Sequence, residues 1–169
     1  LADKKAPLTR SQMMARVRSA DTKPELVLRK ALHAIGFRFR LHVRSLPGCP
    51  DIVMRNHRCA IFVNGCFWHG HADCKYFRIP KTRPEFWAAK IEANRERDTR
   101  AIEALLGCGW RVLVVWECAT RSFQVDNLIN IIATWLQGTE TSAELSSDGL
   151  STNRRTRSGI SSGEQETRR

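Results

Sequence analysis

A shortage of acidic residues, the absence of any long apolar run and an aromatic-free C-terminal stretch set the first limits on this chain of 169 residues. No run approaches the roughly 20 apolar residues that a bilayer-crossing helix needs. The opening LADKKAPLTR has no apolar centre of the signal-peptide kind. The expectation is a soluble, intracellular protein with no membrane partner. In that setting its six cysteines read as reduced thiols or metal ligands rather than as a disulfide framework. No pair has C-x-x-C spacing, and the H-x-E and P-C-x-x-C strings of a zinc deaminase are missing. What the chain has in excess is positive charge, 28 Lys+Arg against 17 Asp+Glu, a formal +11. Such an excess favours an anionic partner, and nucleic acid is the commonest large one.

The charge is unevenly spread. Residues 139–169 are Ser/Thr/Gly-rich, balance five basic against five acidic side chains, and lack the apolar surface to offset their ordering entropy. They are read as a disordered tail, which leaves one compact domain over residues 1–138 with the whole net charge. Residues 1–44 alone carry eleven Lys/Arg against Asp3, Asp21 and Glu25, so an anion-binding N-terminal region is expected.

Thr22-Lys-Pro-Glu25 and Thr82-Arg-Pro-Glu85 both match the S/T-x-x-E capping box with an early proline, and each predicts a helix start. The first helix carries Leu28 and Leu32 and stops at Gly36; the second carries Trp87, Ile91 and Leu105 and stops at Gly107. A short earlier helix is expected at 11–19 and a last amphipathic one at 125–136. Alternation of Phe37, Phe39, Leu41 and Val43 predicts a strand before the turn at Leu46-Pro-Gly. Residues 51–55 and 59–64 read as a hairpin, and 110–116 (WRVLVVW) as a buried strand. The order predicts an α/β fold with a mixed central sheet flanked by helices.

The densest chemistry lies in Gly65-Cys-Phe-Trp-His-Gly-His-Ala-Asp-Cys74. Cys66 and Cys74 offer sulfur, His69 or His71 offers imidazole, and Cys118, just past the buried strand, is a candidate fourth ligand for structural zinc. Small buried hydrophobes are the bland reading of the same cysteines. Asp51 follows a tight turn at a strand start, where a carboxylate can hold a hard metal ion. Glu25, His69 and the carbonyl groups near Val63 form its possible partner set, although Glu25 also has the capping duty. A cation that polarises a phosphodiester and an imidazole that activates water would make a nuclease. Phe67, Trp68 and Trp87 are large aromatics in or beside the loop, and Met14 lies in the basic N-terminal stretch; in a basic protein such groups can wedge between bases.

Phe62-Val-Asn-Gly-Cys-Phe-Trp-His-Gly-His71, with Leu46-Pro-Gly-Cys-Pro-Asp51 before it and Val115-Trp-Glu-Cys118 after it, resembles the very short patch repair (Vsr) DNA mismatch endonucleases. The resemblance spans about residues 9–138. It implies a restriction-endonuclease-like fold with a structural zinc site, over an endonuclease domain of residues 1–138 whose basic arm is 1–21. It implies nicking of double-stranded DNA 5′ to the T of a T:G mismatch left by deamination of 5-methylcytosine. By matching positions, Asp51 would be the principal Mg²⁺ ligand with the Val63 carbonyl, His69 the base, and Glu25 a support. Cys66, His71, Cys74 and Cys118 would hold Zn²⁺, with Phe67, Trp68 and Trp87 as a major-groove wedge and Met14 entering from the minor groove. Asn64 stands where a member of the family has a second histidine, the presumed partner of the acid at Asp98. Val63 replaces a threonine, the zinc loop is one residue longer between His71 and Cys74, and the usual nuclease Glu-x-Lys reads Phe62-Val63-Asn64. The same resemblance implies a cytoplasmic, bacterial protein, nucleoid-associated on DNA, acting as a monomer, with mismatch-repair proteins as partners. A zinc-stabilised DNA-binding module without catalysis and a restriction endonuclease of the same fold are the alternatives.

Overall fold

The computed structural model describes residues 20–153. The expected helix at 11–19, Met14 and nearly all of the basic arm lie outside them. The elements are α1 (Lys23–Ala34), β1 (Arg40–Leu41), β2 (Ile52–Met54), a 3-10 turn (Arg55–His57) and β3 (Cys59–Asn64). They continue with α2 (Pro84–Gly107), β4 (Arg111–Trp116), α3 (Glu117–Ser122), α4 (Val125–Gln137), β5 (Ser142–Ser146) and β6 (Gly149–Asn153). The six strands form one sheet in chain order. β1, β2 and β3 are antiparallel neighbours, β3, β4 and β5 run parallel, and β6 returns antiparallel to β5.

Strand parity divides the core. Cys59, Ile61, Leu113, Val115, Ala143 and Leu145 face one side of the sheet, where they meet Leu28 and Leu32 of α1 and Leu128, Ile132 and Trp135 of α4. Their neighbours Ala60, Phe62 and Val112 face the other side, beneath Leu105 and Ile102 of α2. Successive residues of a strand point to opposite faces, so each alternation delivers one set of side chains to each helical layer. Among the described residues no helix is long and apolar enough to cross a membrane.

The two matching tetrapeptides behave differently. At Thr22-Lys-Pro-Glu25 the helix starts as expected, with Thr22 at the N-cap and a buried Glu25. At the second, the N-cap is Arg83, in left-handed backbone with φ 55°, and Pro84 takes the first helical position. Proline favours that position and pushes the residue before it out of right-handed helical backbone. Glu85 is exposed, so nothing anchors it as a cap.

Two further expectations need correction. The alternating segment 37–43 pairs only through Arg40–Leu41. Phe37 and Phe39 pack on the core without joining the ladder, and Leu41 is exposed. The stretch read as a disordered tail from residue 139 instead supplies β5 and β6 over 142–153; residues 154–169 lie outside the description. Only Ala143 and Leu145 are buried on β5, but parallel pairing with β4 supplies the backbone with partners that composition cannot reveal.

Candidate active site and metal cluster

Sheet register assembles a cleft of about 970 Å³ on the α2 side of β1, β2 and β3. Continuing the β1–β2 register one step places His42 opposite Asp51, and the His42 N–H donates to the Asp51 carbonyl at 3.4 Å. His42 Nδ1 lies 3.7 Å from Asp51 Oδ1. Continuing the β2–β3 register places Pro50 opposite Val63. Proline has no N–H to give to the ladder. The Asp51 side chain takes over part of that edge, its Oδ2 accepting the Val63 N–H at 2.8 Å. The N–H and C=O of one residue in a strand point to the same edge, so the Val63 carbonyl shares an edge with the Asp51 carboxylate. Burial pushes the Asp51 pKa above its usual value; the Val63 hydrogen bond, His42 and Arg29 oppose the rise, and the Glu25 charge adds to it. A carboxylate held against its own desolvation gains by accepting a cation.

Glu25 lies behind Asp51 with its oxygens already engaged. Oε1 accepts from the Thr22 hydroxyl at 2.9 Å and the Thr22 N–H at 3.4 Å, while Oε2 accepts from the Asp21 N–H at 3.1 Å and from Arg29. Arg29 also bonds Asp21 and reaches His42 Nε2 at 2.7 Å. The capping duty and the site therefore share one hydrogen-bonded network around the buried Glu25–Arg29 pair. His42 is the residue that sequence reasoning missed; counting the register back from the hairpin to position 51 is the signal that would have found it.

The other wall comes from α2 and the loop after β3. Ile91, Asn94, Arg95 and Asp98 form one face of α2, at the three- and four-residue spacing of a helix. Asn94 Nδ2 donates to the Trp68 carbonyl at 2.8 Å, and Arg95 Nε to the Gly70 carbonyl at 3.1 Å. Gly70 has φ +62°, and a Cβ there would stand 2.5 Å from both Ile91 Cγ2 and Arg95 Nε. This grip presents His69 to Asp98, with Nδ1 2.5 Å from Oδ2. A carboxylate can only accept in this pair, so Nδ1 carries the proton and Nε2 is left as a base. Asp98 thus pairs with His69 rather than with position 64, where the buried Asn64 lines the same cleft. Arg44 and Arg97 also line it, which suits an anionic substrate.

Beyond the cleft, Cys66, His71, Cys74 and Cys118 bring one ligand atom each within 4.8 Å of one another. The edge of a zinc–thiolate tetrahedron is about 3.8 Å, so small movements close the set on an ion. His71 Nδ1 is 3.5 Å from Cys118 Sγ, and the ring stacks on Trp116 with centroids 4.1 Å apart. Burial lowers the His71 pKa against the pull of Glu144 and Asp148, which keeps the imidazole neutral, as a ligand must be. Burial likewise pushes the Cys66 thiol up, which makes its anion unfavourable until a cation joins it. The donor set fits a soft-ligand metal site, with His71 rather than His69 as its imidazole. Cys59 is core, Cys108 is exposed, and Cys49 lines the cleft.

The aromatic group is one edge-to-face cluster: Phe67 to Trp68 at 5.1 Å, Phe67 to Trp87 at 5.4 Å and Trp68 to Trp87 at 6.0 Å. Trp87 is buried, Phe67 and Trp68 are half-buried, and Phe86, expected on the apolar face of α2, is instead 48% exposed beside Trp87.

Comparison with known proteins agrees with this chemistry. Residues 2–76 match the family described as DNA mismatch endonuclease Vsr. The chain is 42% identical over 153 residues to the DNA mismatch endonuclease Vsr of Escherichia coli K12, across 89% of this chain and 97% of that protein. The chain belongs to the Vsr DNA mismatch endonuclease family. It is also 52% identical over 118 residues to the type II nicking enzyme V.XorIIP of Xanthomonas oryzae pv. oryzae, across 70% of this chain and 86% of that protein. The type II nicking enzyme V.NmeAIP of Neisseria meningitidis serogroup A is 42% identical over 113 residues, 67% of this chain and 80% of its own. As a Vsr-family endonuclease the protein is a DNA-cleaving hydrolase, and its mixed α/β sheet is consistent with a nuclease fold.

Proposed function

We propose that this Vsr-family protein nicks double-stranded DNA 5′ to the T of a T:G mispair, on that strand only, in a Mg²⁺-dependent reaction on a restriction-endonuclease-like scaffold. The observation that carries the reading is the facing of two assemblies across one cleft: the Asp51–Val63 strand edge and the His69–Asp98 pair. The relatives named as nicking enzymes support single-strand scission, and the relative named as a mismatch endonuclease supports the mispair.

Asp51 Oδ1 and the Val63 carbonyl would hold the Mg²⁺, both oxygen donors of the kind that ion takes. When bound there, a divalent cation neutralises charge on the scissile phosphate and stabilises the leaving oxygen. His69 Nε2 removes a proton from the attacking water while Asp98 holds the ring in the required tautomer and steadies the imidazolium. Glu25 fixes Arg29 and, through it, His42 beside Asp51. Asn64 can orient a water or phosphate oxygen but cannot exchange protons as a histidine does. Cys66, His71, Cys74 and Cys118 would hold Zn²⁺ as a structural ion, tying the loop to α3. Phe67 and Trp68, backed by Trp87, would wedge at the mispair, where unstacking costs least; Met14 would enter from the opposite groove. A single asymmetric nick needs only one copy of the chain, working in the cytoplasm on nucleoid DNA and handing its product to mismatch-repair proteins.

The test is a pair of end-labelled duplexes of varied flanking sequence, alike except for one T:G or C:G pair, with and without Mg²⁺. Nicking of the T strand of the T:G duplex, with Mg²⁺ only, is expected. Cutting of both strands of the C:G duplex would establish a restriction enzyme instead, and binding without any nick would establish a non-catalytic binding module.

A further inference from the structure

The turn between β5 and β6 reaches the cysteine cluster. β4 and β5 run in parallel with Val115 level with Leu145, so both strands end at the same height. α3, which carries Cys118, starts directly after β4, and the β5–β6 turn arrives beside it. Leu145, fully buried, anchors the end of β5. The Ser147 N–H then donates to Cys118 Sγ at 3.3 Å, across 29 positions of sequence.

Three thiolates and one neutral imidazole around Zn²⁺ carry a net charge of about −1. Hydrogen bonds to the sulfurs spread that excess and fix the direction of their lone pairs. Cys118 receives such a bond from the β5–β6 turn, whose Asp148 also acts electrostatically on His71. We propose that the Ser147 backbone N–H is a positioning group for the metal, orienting the Cys118 thiolate and slowing release of the ion. The β5–β6 hairpin then serves as a clasp on the cluster as well as the sheet edge. This rests on reading the Cys66, His71, Cys74 and Cys118 set as a zinc site.

The test uses the full chain loaded with zinc and two substitutions. Ser147 and Asp148 are absent from the positive-φ residues, while Gly149 has φ +111°. Proline suits the first central position of a type I turn, so Ser147→Pro removes the N–H with little change to the turn. Ser147→Ala keeps the N–H and removes only the hydroxyl. Zinc release to a chelating dye should be about 10-fold faster in Ser147→Pro, at the low end of effects of outer-shell partners, and unchanged in Ser147→Ala. In the ¹¹³Cd-substituted wild type the Ser147 amide proton should show scalar coupling to the metal, which a merely structural turn would not give. Equal release from wild type and Ser147→Pro, equally fast release from both variants, or no coupling at Ser147 would overturn the proposal. Should Ser147→Pro not fold, the cadmium coupling decides. A wild-type chain that takes up no zinc would overturn the zinc reading itself, and is distinguished by metal analysis before any variant is made.

Discussion

The loop that leaves β3 serves two sites of opposite chemistry. On one side, His69 faces a half-open cleft of carboxylate and carbonyl oxygens. On the other, Cys66, His71 and Cys74 join Cys118 in a sulfur-rich cluster whose members are buried or half-buried. Hard oxygen donors and open space suit an ion that keeps water and touches substrate. Thiolates and a neutral imidazole closed around four positions suit an ion that stays. Two histidines two residues apart are thus separated by their partners: His69 has the Asp98 carboxylate, and His71 has Cys118 and the Trp116 ring. Sequence spacing leaves them equivalent; the hydrogen bonds do not.

The division can be broken from either side. Asp51→Ala should lower the nicking rate by about 10³-fold or more, several kcal/mol of charge stabilisation, while metal analysis finds zinc content unchanged. His69→Ala should reduce single-turnover cleavage by about 10²- to 10³-fold, the share of a general base, again with zinc retained. Asp98→Ala, which leaves the imidazole but not its orienting acceptor, should cost about one order of magnitude of that share, read as kcat with KM unchanged. Cys118→Ala should do the reverse: loss of zinc and a lower Tm, because metal binding is coupled to folding. Retained zinc in that variant would contradict the ligand assignment.

The smallest effect sharpens the contrast in electrostatics. Asp51 has its pKa raised by burial in the metal-free cleft. Its contribution to stability is therefore present below the ordinary carboxylate value and is lost as pH rises through the raised one. Asp51→Asn, whose side-chain oxygen can still accept from the Val63 N–H, should raise the Tm of the Mg²⁺-free protein by a few degrees at neutral pH and by nothing in acid. Thermal scans at the two pH values without Mg²⁺ check this.

Much of this arrangement was legible in residues that repeat a local rule. Thr22-Lys-Pro-Glu25 placed α1, and the parity of the apolar runs at 59–64 and 110–116 placed the central strands. The Cys/His spacing marked the loop, though not which histidine belongs to which site. Glu25 shows why the rest was hidden: its capping bonds are local, but its ion pair with Arg29 connects it through His42 to a strand reached only by register. His42 itself is unremarkable in sequence and gains meaning from the residue across the ladder. β5 was hidden for a related reason, since Ala143 and Leu145 are too few to signal a strand, and the pairing that makes one comes from β4. Asp148-Gly149 was the available clue, a hairpin signal overlooked in a Ser/Thr/Gly-rich stretch.

The most direct test of this division of labour is Mg²⁺-dependent nicking of a T:G duplex by zinc-loaded wild type and zinc-loaded Asp51→Ala, with zinc measured in each sample after the reaction. T-strand cleavage by wild type is expected only when Mg²⁺ is added, with a rate lower by about 10³-fold or more in the variant and the same zinc content in both. Cleavage without Mg²⁺, cleavage by Asp51→Ala at the wild-type rate, or loss of zinc from that variant would contradict it.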